Sequence, residues 1–215
     1  MNWSTLRAAS AFLPMVALIA TGPPAAQAAD TDVLMIEEHW ELQVGGPDAD
    51  RSAPQVSMVM SPTGHLDGNF FVVTVNHGSF PDFSPGGVQV QHWIGDHCAD
   101  AKNSYSKYSL IYDGETVSWK QRMTLDGGTL SFEVIDGSSE SIGTFGANGL
   151  LKDTISVSQT RLNTYVPAIS LTESGIGFAG NRVSSLTLKK LVWKTADGQY
   201  HELNAPIDIS TGLDP

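Results

Sequence analysis

Apolar and polar residues alternate with a period of two through much of this chain, most regularly from Thr116 to Ile135. Val117, Trp119, Gln121, Met123 and Leu125 interleave with Thr116, Ser118, Lys120, Arg122 and Thr124. After Asp126-Gly127-Gly128, Leu130, Phe132 and Val134 interleave with Thr129, Ser131 and Glu133. Successive strand side chains point to opposite faces, so this stretch predicts a hairpin with one buried and one wet face. An Asp-Gly-Gly turn supplies the positive φ angles that a tight connection requires.

Similar runs recur at Val33 to Val44, Gln55 to Met60, Asn69 to Asn76, Val88 to Trp93 and Ser109 to Tyr112. Others follow at Thr154 to Val157, Tyr165 to Leu171, Gly175 to Ala179, Leu186 to Trp193 and Tyr200 to Leu203. Asp-Gly pairs beginning at positions 67, 113, 126, 136 and 197 punctuate them as tight turns. Helical periodicity is not sustained anywhere; Ala99 to Lys107 and Gly149 to Asp153 each have room for one turn. Many short strands, with no repeat and no linker, predict a single all-β domain, an antiparallel β-sandwich or jelly roll. Within Leu186 to Trp193, simple alternation would turn Lys190 inward. One extra residue at Lys189-Lys190 restores Leu191 and Trp193 to the buried face, which predicts a β-bulge. Paired lysines there also suit an edge strand.

The first residues change the picture of where the chain works. Arg7, the apolar run Ala8 to Ala20 and the small residues Ala26-Gln27-Ala28 predict a secretory signal peptide over residues 1–29. The sandwich domain would then occupy 30–215 in a secreted or periplasmic protein, with no membrane span in the mature chain. Arg7 is the one charged residue of the leader, so cleavage takes the net charge from −11 to about −12. Such a balance argues against nucleic acid and anionic membrane surfaces, which need a basic footprint. Neutral glycans, cations and basic proteins remain compatible partners. Cys98 is the only cysteine, so no intrachain disulfide forms and the core alone must hold the fold.

Three constellations are candidates for chemistry. Glu37, His39 and Glu41 share one face of the first strand, with the carboxylates about 13 Å apart, wider than a glycosidase pair. An exposed acidic strand face is the simpler account of them, because exposed strands ordinarily alternate this way, while Glu38 shares the face of Trp40, where burial would raise its pKa. His92, His97, Cys98, Asp96 and Asp100 lie within nine residues, a set that suits zinc in kind but not in spacing. His92 is also in phase with Val88 and Val90, as a hydrogen-bonded core histidine would be. Trp93 falls in phase with Gln89 and Gln91. A flat ring beside amides matches the apolar faces and polar rims of sugars, and a ring covered at the sheet edge fits the same pattern. Trp40, Trp119 and Trp193 are in phase with aliphatic residues, which predicts core positions. His77-Gly78-Ser79 sets an imidazole near a hydroxyl, but no nucleophile elbow, zinc-protease motif, P-loop or dinucleotide fingerprint is present.

The segments Ser131 to Ser139, Gly143 to Gly146 and Ser174 to Val183, followed by the apolar run Leu186 to Trp193, resemble the concanavalin A-like lectin/glucanase and laminin-G jelly rolls of secreted proteins, uncharacterised bacterial ones among them. That resemblance implies a lectin-type role. Glucanases of the superfamily carry Glu-x-Asp-x-x-Glu on a strand, and Glu37-Glu38-His39-Trp40-Glu41 departs from it at the central Asp. No catalytic residue is therefore carried over from the resemblance, and no metal ligand and no cofactor is assigned. The expectation is a non-catalytic β-sandwich binding a carbohydrate or extracellular matrix ligand through Trp93, Gln89 and Gln91, with loops such as Asp82 to Gly87 setting specificity. Two other readings compete: a carbohydrate-active hydrolase or lyase using Glu37, Glu38, Glu41 or Glu133, and a structural cell-envelope protein without a small ligand.

Overall fold

The structure, a computed structural model of the chain, describes residues 29–45, 54–79, 85–178, 182–204 and 206–210. The expected leader therefore lies outside the described residues, apart from Ala29, as do residues 82–84 of the expected specificity loop and residues 179–181. Alternation dictates the strands. They are β1 (Val33–Val44), β2 (Gln55–Met60), β3 (Asn69–Asn76), β4 (Gly87–Ile94), β5 (His97–Tyr105), β6 (Thr116–Asp126) and β7 (Thr129–Ser139). After these come β8 (Gly143–Phe145), β9 (Lys152–Ser156), α1 (Pro167–Glu173), β10 (Gly175–Phe178), β11 (Val183–Thr195), β12 (Tyr200–Leu203) and β13 (Ile207–Asp208).

They form two antiparallel sheets packed face to face, an all-β sandwich. Sheet A runs β12-β11-β1-β6-β7-β8, with β13 also pairing β11 and β9 also pairing β7; sheet B runs β10-β2-β3-β4-β5. Gly127 and Gly128 turn β6 into β7 at φ of 52° and 80°, angles that strain most side chains. The inner face of sheet A carries Trp40, Leu42, Val117, Trp119, Met123, Leu130 and Phe132; that of sheet B carries Val56, Met58, Met60, Phe71, Val73, Val75, Val88 and Val90. Phe71 and Phe132 join the two sheets, their rings stacked at 4.6 Å. His92 is buried and bonds Asn69 Oδ1 at 2.9 Å from Nε2, with Nδ1 3.5 Å from Asp153 of the opposite sheet, a core histidine.

Several sequence expectations are corrected by tertiary context. Tyr165 to Leu171 is not a strand: Pro167 opens α1, where its missing N–H costs nothing, and the helix packs on β2. Ser109 to Tyr112 is a turn in which buried Leu110 takes φ of 60°. Ala99 to Lys107 is mostly β5, an edge strand open to water on both faces and so without alternation. The bulge at Lys189-Lys190 is present, since His39 pairs with Lys190 and Trp40 with Leu188. Its strand is not an edge, however. β12 covers Leu191–Lys194 and β13 covers Thr187–Leu188, and the lysines occupy the gap between them. Trp193 is only half-buried, its ring stacked on His201 at a centroid distance of 5.3 Å. No helix among the described residues is long and apolar enough to cross a membrane.

Candidate functional site

The outer face of sheet A is a grid of paired side chains. One row reads Arg122, Glu37, Val192 and Glu202 across β6, β1, β11 and β12; a second reads Thr124, Met35, Lys194 and Tyr200; a third reads Lys120, His39 and Lys190. All of these but Lys120 floor and wall an open groove of about 500 Å³. Glu37 is 5% exposed. Its Oε2 accepts from Arg122 Nε at 2.7 Å, and its Oε1 lies 2.6 Å from His39 Nε2. Burial acts to raise this carboxyl, but the hydrogen bonds and charges of Arg122 and His39 outweigh it and hold it below the usual carboxylate value.

Ion pairs spread from there. Arg122 also reaches Glu133, Lys120 pairs with Asp136, Lys189 with Glu41, and Lys190 with Glu202. The Glu202 carboxyl is held low by its hydrogen bonds from Lys190 and Asn204. Lys194 Nζ lies 5.2 Å from the Tyr200 ring centroid. Glu37, His39 and Glu41 do share a face as expected, but the face is not simply acidic. Its cations arrive from strands 85 and 148 residues away in sequence.

Glu38 points the other way, into the core, and is fully buried. Three neutral donors converge on it: Trp40 Nε1 at 2.8 Å and Gln121 Nε2 at 2.5 Å on Oε2, and the Tyr165 hydroxyl at 2.5 Å on Oε1. Desolvation by burial raises its pKa, and the hydrogen-bond donors oppose that only in part. The same burial, with the neighbouring Glu38 charge, pushes the Tyr165 phenol well above its ordinary value. The Tyr165 ring also lines an apolar pocket of about 230 Å³ with Ile36, Leu191 and Trp193.

Trp93, Gln89 and Gln91 lie together on the outer face of β4, all half-buried. The ring is parallel to Phe70 within 13°, at a centroid distance of 6.2 Å. Its Nε1 donates to Gln91 Oε1 at 3.3 Å, and Gln89 Nε2 donates to Asn103 Oδ1 at 2.8 Å. These polar groups thus spend hydrogen bonds within sheet B. His92 and Asp100 pair across β4 and β5, whereas His97 and Cys98 pair with Ile94 and Trp93. Among the described residues no group of three His, Cys, Asp or Glu is placed to hold a metal. His77 Nδ1 and Ser79 Oγ are 2.9 Å apart, and among the described residues no carboxylate is bonded to that imidazole.

Arg122, Lys190, Lys194 and Tyr200 escaped the sequence reading as site residues. Alternation shows Arg122 only as the wet side of the hairpin, and Tyr200 only as part of a short run. Both become members of one groove when β1 inserts between β6 and β11.

No protein-family model matches the chain, and no curated protein does. Among solved structures the chain is similar to scytalido-glutamic peptidase, in its complex with a transition-state analogue inhibitor. The identity is 7% and the TM-score 0.33, over 83% of this chain and 84% of that one.

Proposed function

We propose that this chain is a non-catalytic ligand-binding β-sandwich and that a glycan lies in the groove on the outer face of sheet A. The observation that carries the reading is Tyr200, 64% exposed, which with Met35 and Val192 lines a groove rimmed by charged hydrogen-bonding groups. Sugars present C–H faces and hydroxyl rims, so a ring platform with fixed polar neighbours matches both. The volume is ample for a few sugar units, within the usual range of about 300–1,000 Å³ for ligand sites. The lectin-like resemblance of the C-terminal half points the same way.

This groove is a better site than the Trp93 face, where the amides and the indole N–H are already engaged with one another and with Asn103. A hydrolytic role fits the groove poorly. Glycoside hydrolysis needs a carboxylic acid that stays protonated near neutral pH. Glu37 and Glu202 are both held low, and Glu38, the carboxyl that burial raises, is on the opposite face of β1.

A glycan array probed with the wild-type chain and Tyr200→Ala tests this. Loss of at least tenfold in binding, with an unchanged melting temperature, is the expected result. Equal binding by the variant, or no glycan bound by wild type, overturns it.

A further inference from the structure

We infer that the saccharide taken by this groove is anionic, bearing carboxylate groups as uronic acids do. The inference rests on the glycan reading above and adds the charge of the ligand.

Overall charge argues against an anionic ligand, but the fold does not distribute charge evenly. The groove and its ion-pair lattice hold six of the twelve Lys and Arg residues and five of the 23 Asp and Glu. The acidic excess therefore lies almost wholly elsewhere. At physiological salt the Debye length is about 8 Å, so a bound group responds to the local balance more than to distant carboxylates.

Counting donors and acceptors within the groove gives the same answer. Both oxygens of Glu37 are spent, on His39 and Arg122. Glu202 is engaged by Lys190 and Asn204. What is left over is donors. Lys194 makes no hydrogen bond or ion pair among the described residues, only its approach to the Tyr200 ring. The Tyr200 hydroxyl has no bonded partner there either. A site with a spare ammonium group and spent carboxylates favours a ligand rich in acceptors. A sugar carboxylate placed over Lys194, with its ring on Tyr200, meets that condition. A neutral sugar leaves the ammonium without a counter-charge.

Titration calorimetry with two matched tetrasaccharides, tetragalacturonate and galactotetraose, separates the possibilities. Tetragalacturonate should bind at least tenfold more tightly. Lys194→Gln, with its melting temperature checked, should remove most of that preference. If galactotetraose binds as well as tetragalacturonate, or if Lys194→Gln leaves the preference intact, the inference fails and the glycan reading stands. Should neither bind at millimolar concentration while the array detects other, neutral glycans, the inference again falls alone. Absence of binding to every saccharide in both experiments removes the two together.

Discussion

Gln121 donates from Nε2 to Glu38 Oε2 across 2.5 Å, joining β6 to β1 in the middle of the apolar core. Trp40 donates to the same oxygen, and Tyr165 to the other. Protonated Glu38 can keep all of these contacts by turning its own O–H towards the Tyr165 oxygen. A glutamine at this position reproduces that arrangement, with its amide N–H₂ in place of the acid O–H. Glu38→Gln should therefore fold as well as wild type in acid. The pH dependence has a definite sign. A carboxyl with a raised folded-state pKa contributes stability that is full below the usual value of 4.5 and is lost as pH rises through the folded value. The variant lacks that loss, so its advantage should grow from about zero at pH 4 as pH increases, by about 1.4 kcal/mol per unit of displacement. Denaturant melts from pH 4 to 8 measure it. A constant difference across that range contradicts the assignment. Glu38→Ala, by contrast, leaves three buried donors unpaired beside a cavity and should lose about 3–5 kcal/mol.

Glu37 behaves oppositely. Its folded-state pKa is lowered, so its contribution is present above the usual 4.5 and is lost as pH falls through the folded value. Arg122→Ala removes the main partner of a carboxylate that is nearly buried. It should cost about 1–3 kcal/mol at pH 7, and less as pH falls through the folded-state value and Glu37 is neutralised. Glu37→Gln in the same background should recover part of the loss. Chemical denaturation of wild type and the two variants, followed from pH 7 downwards, checks the coupling; a pH-independent cost would mean that Arg122 acts through packing alone.

Gly137 in β7 faces the ring of Phe145, and a Cβ there would fall 2.2 Å from Cδ2 and Cε2. The ring is buried and has no room to retreat. Gly137→Ala should destabilise by about 1–3 kcal/mol, and Phe145→Ala in the same chain should relieve the clash so that the two costs are not additive. Additive melting-temperature losses would show that the contact is not what excludes the side chain.

Trp93→Ala separates the two faces of the sandwich. Half-buried against Phe70, the ring should cost about 1–3 kcal/mol on removal. Glycan binding should persist, because the groove lies on the other sheet. A variant that melts normally but binds nothing would return the site to β4.

Much of this architecture was legible from alternation alone. The bounds of β1, β2, β3 and β12 follow their runs, as does the bulge at Lys189-Lys190. Legibility ends where alternation does. β5 is polar on both faces because it is an edge, and Tyr165 to Leu171 looks like a strand because Tyr165, Ile169 and Leu171 share a phase that Pro167 overrides. The placement of Glu38 with Trp40 was readable, but not its donors, since Tyr165 is 127 residues away. The groove was least accessible of all. Its four strands come from both ends and the middle of the chain, and pairing register, not local pattern, puts Tyr200 beside Lys194 and Arg122 beside Glu37.

Amide chemical-shift mapping during titration with tetragalacturonate and galactotetraose tests the central claim most directly, for it locates whichever saccharide binds. Saturable shifts centred on Met35, Arg122, Val192, Lys194 and Tyr200 are the predicted result. Shifts centred on Gln89, Gln91 and Trp93 would contradict it.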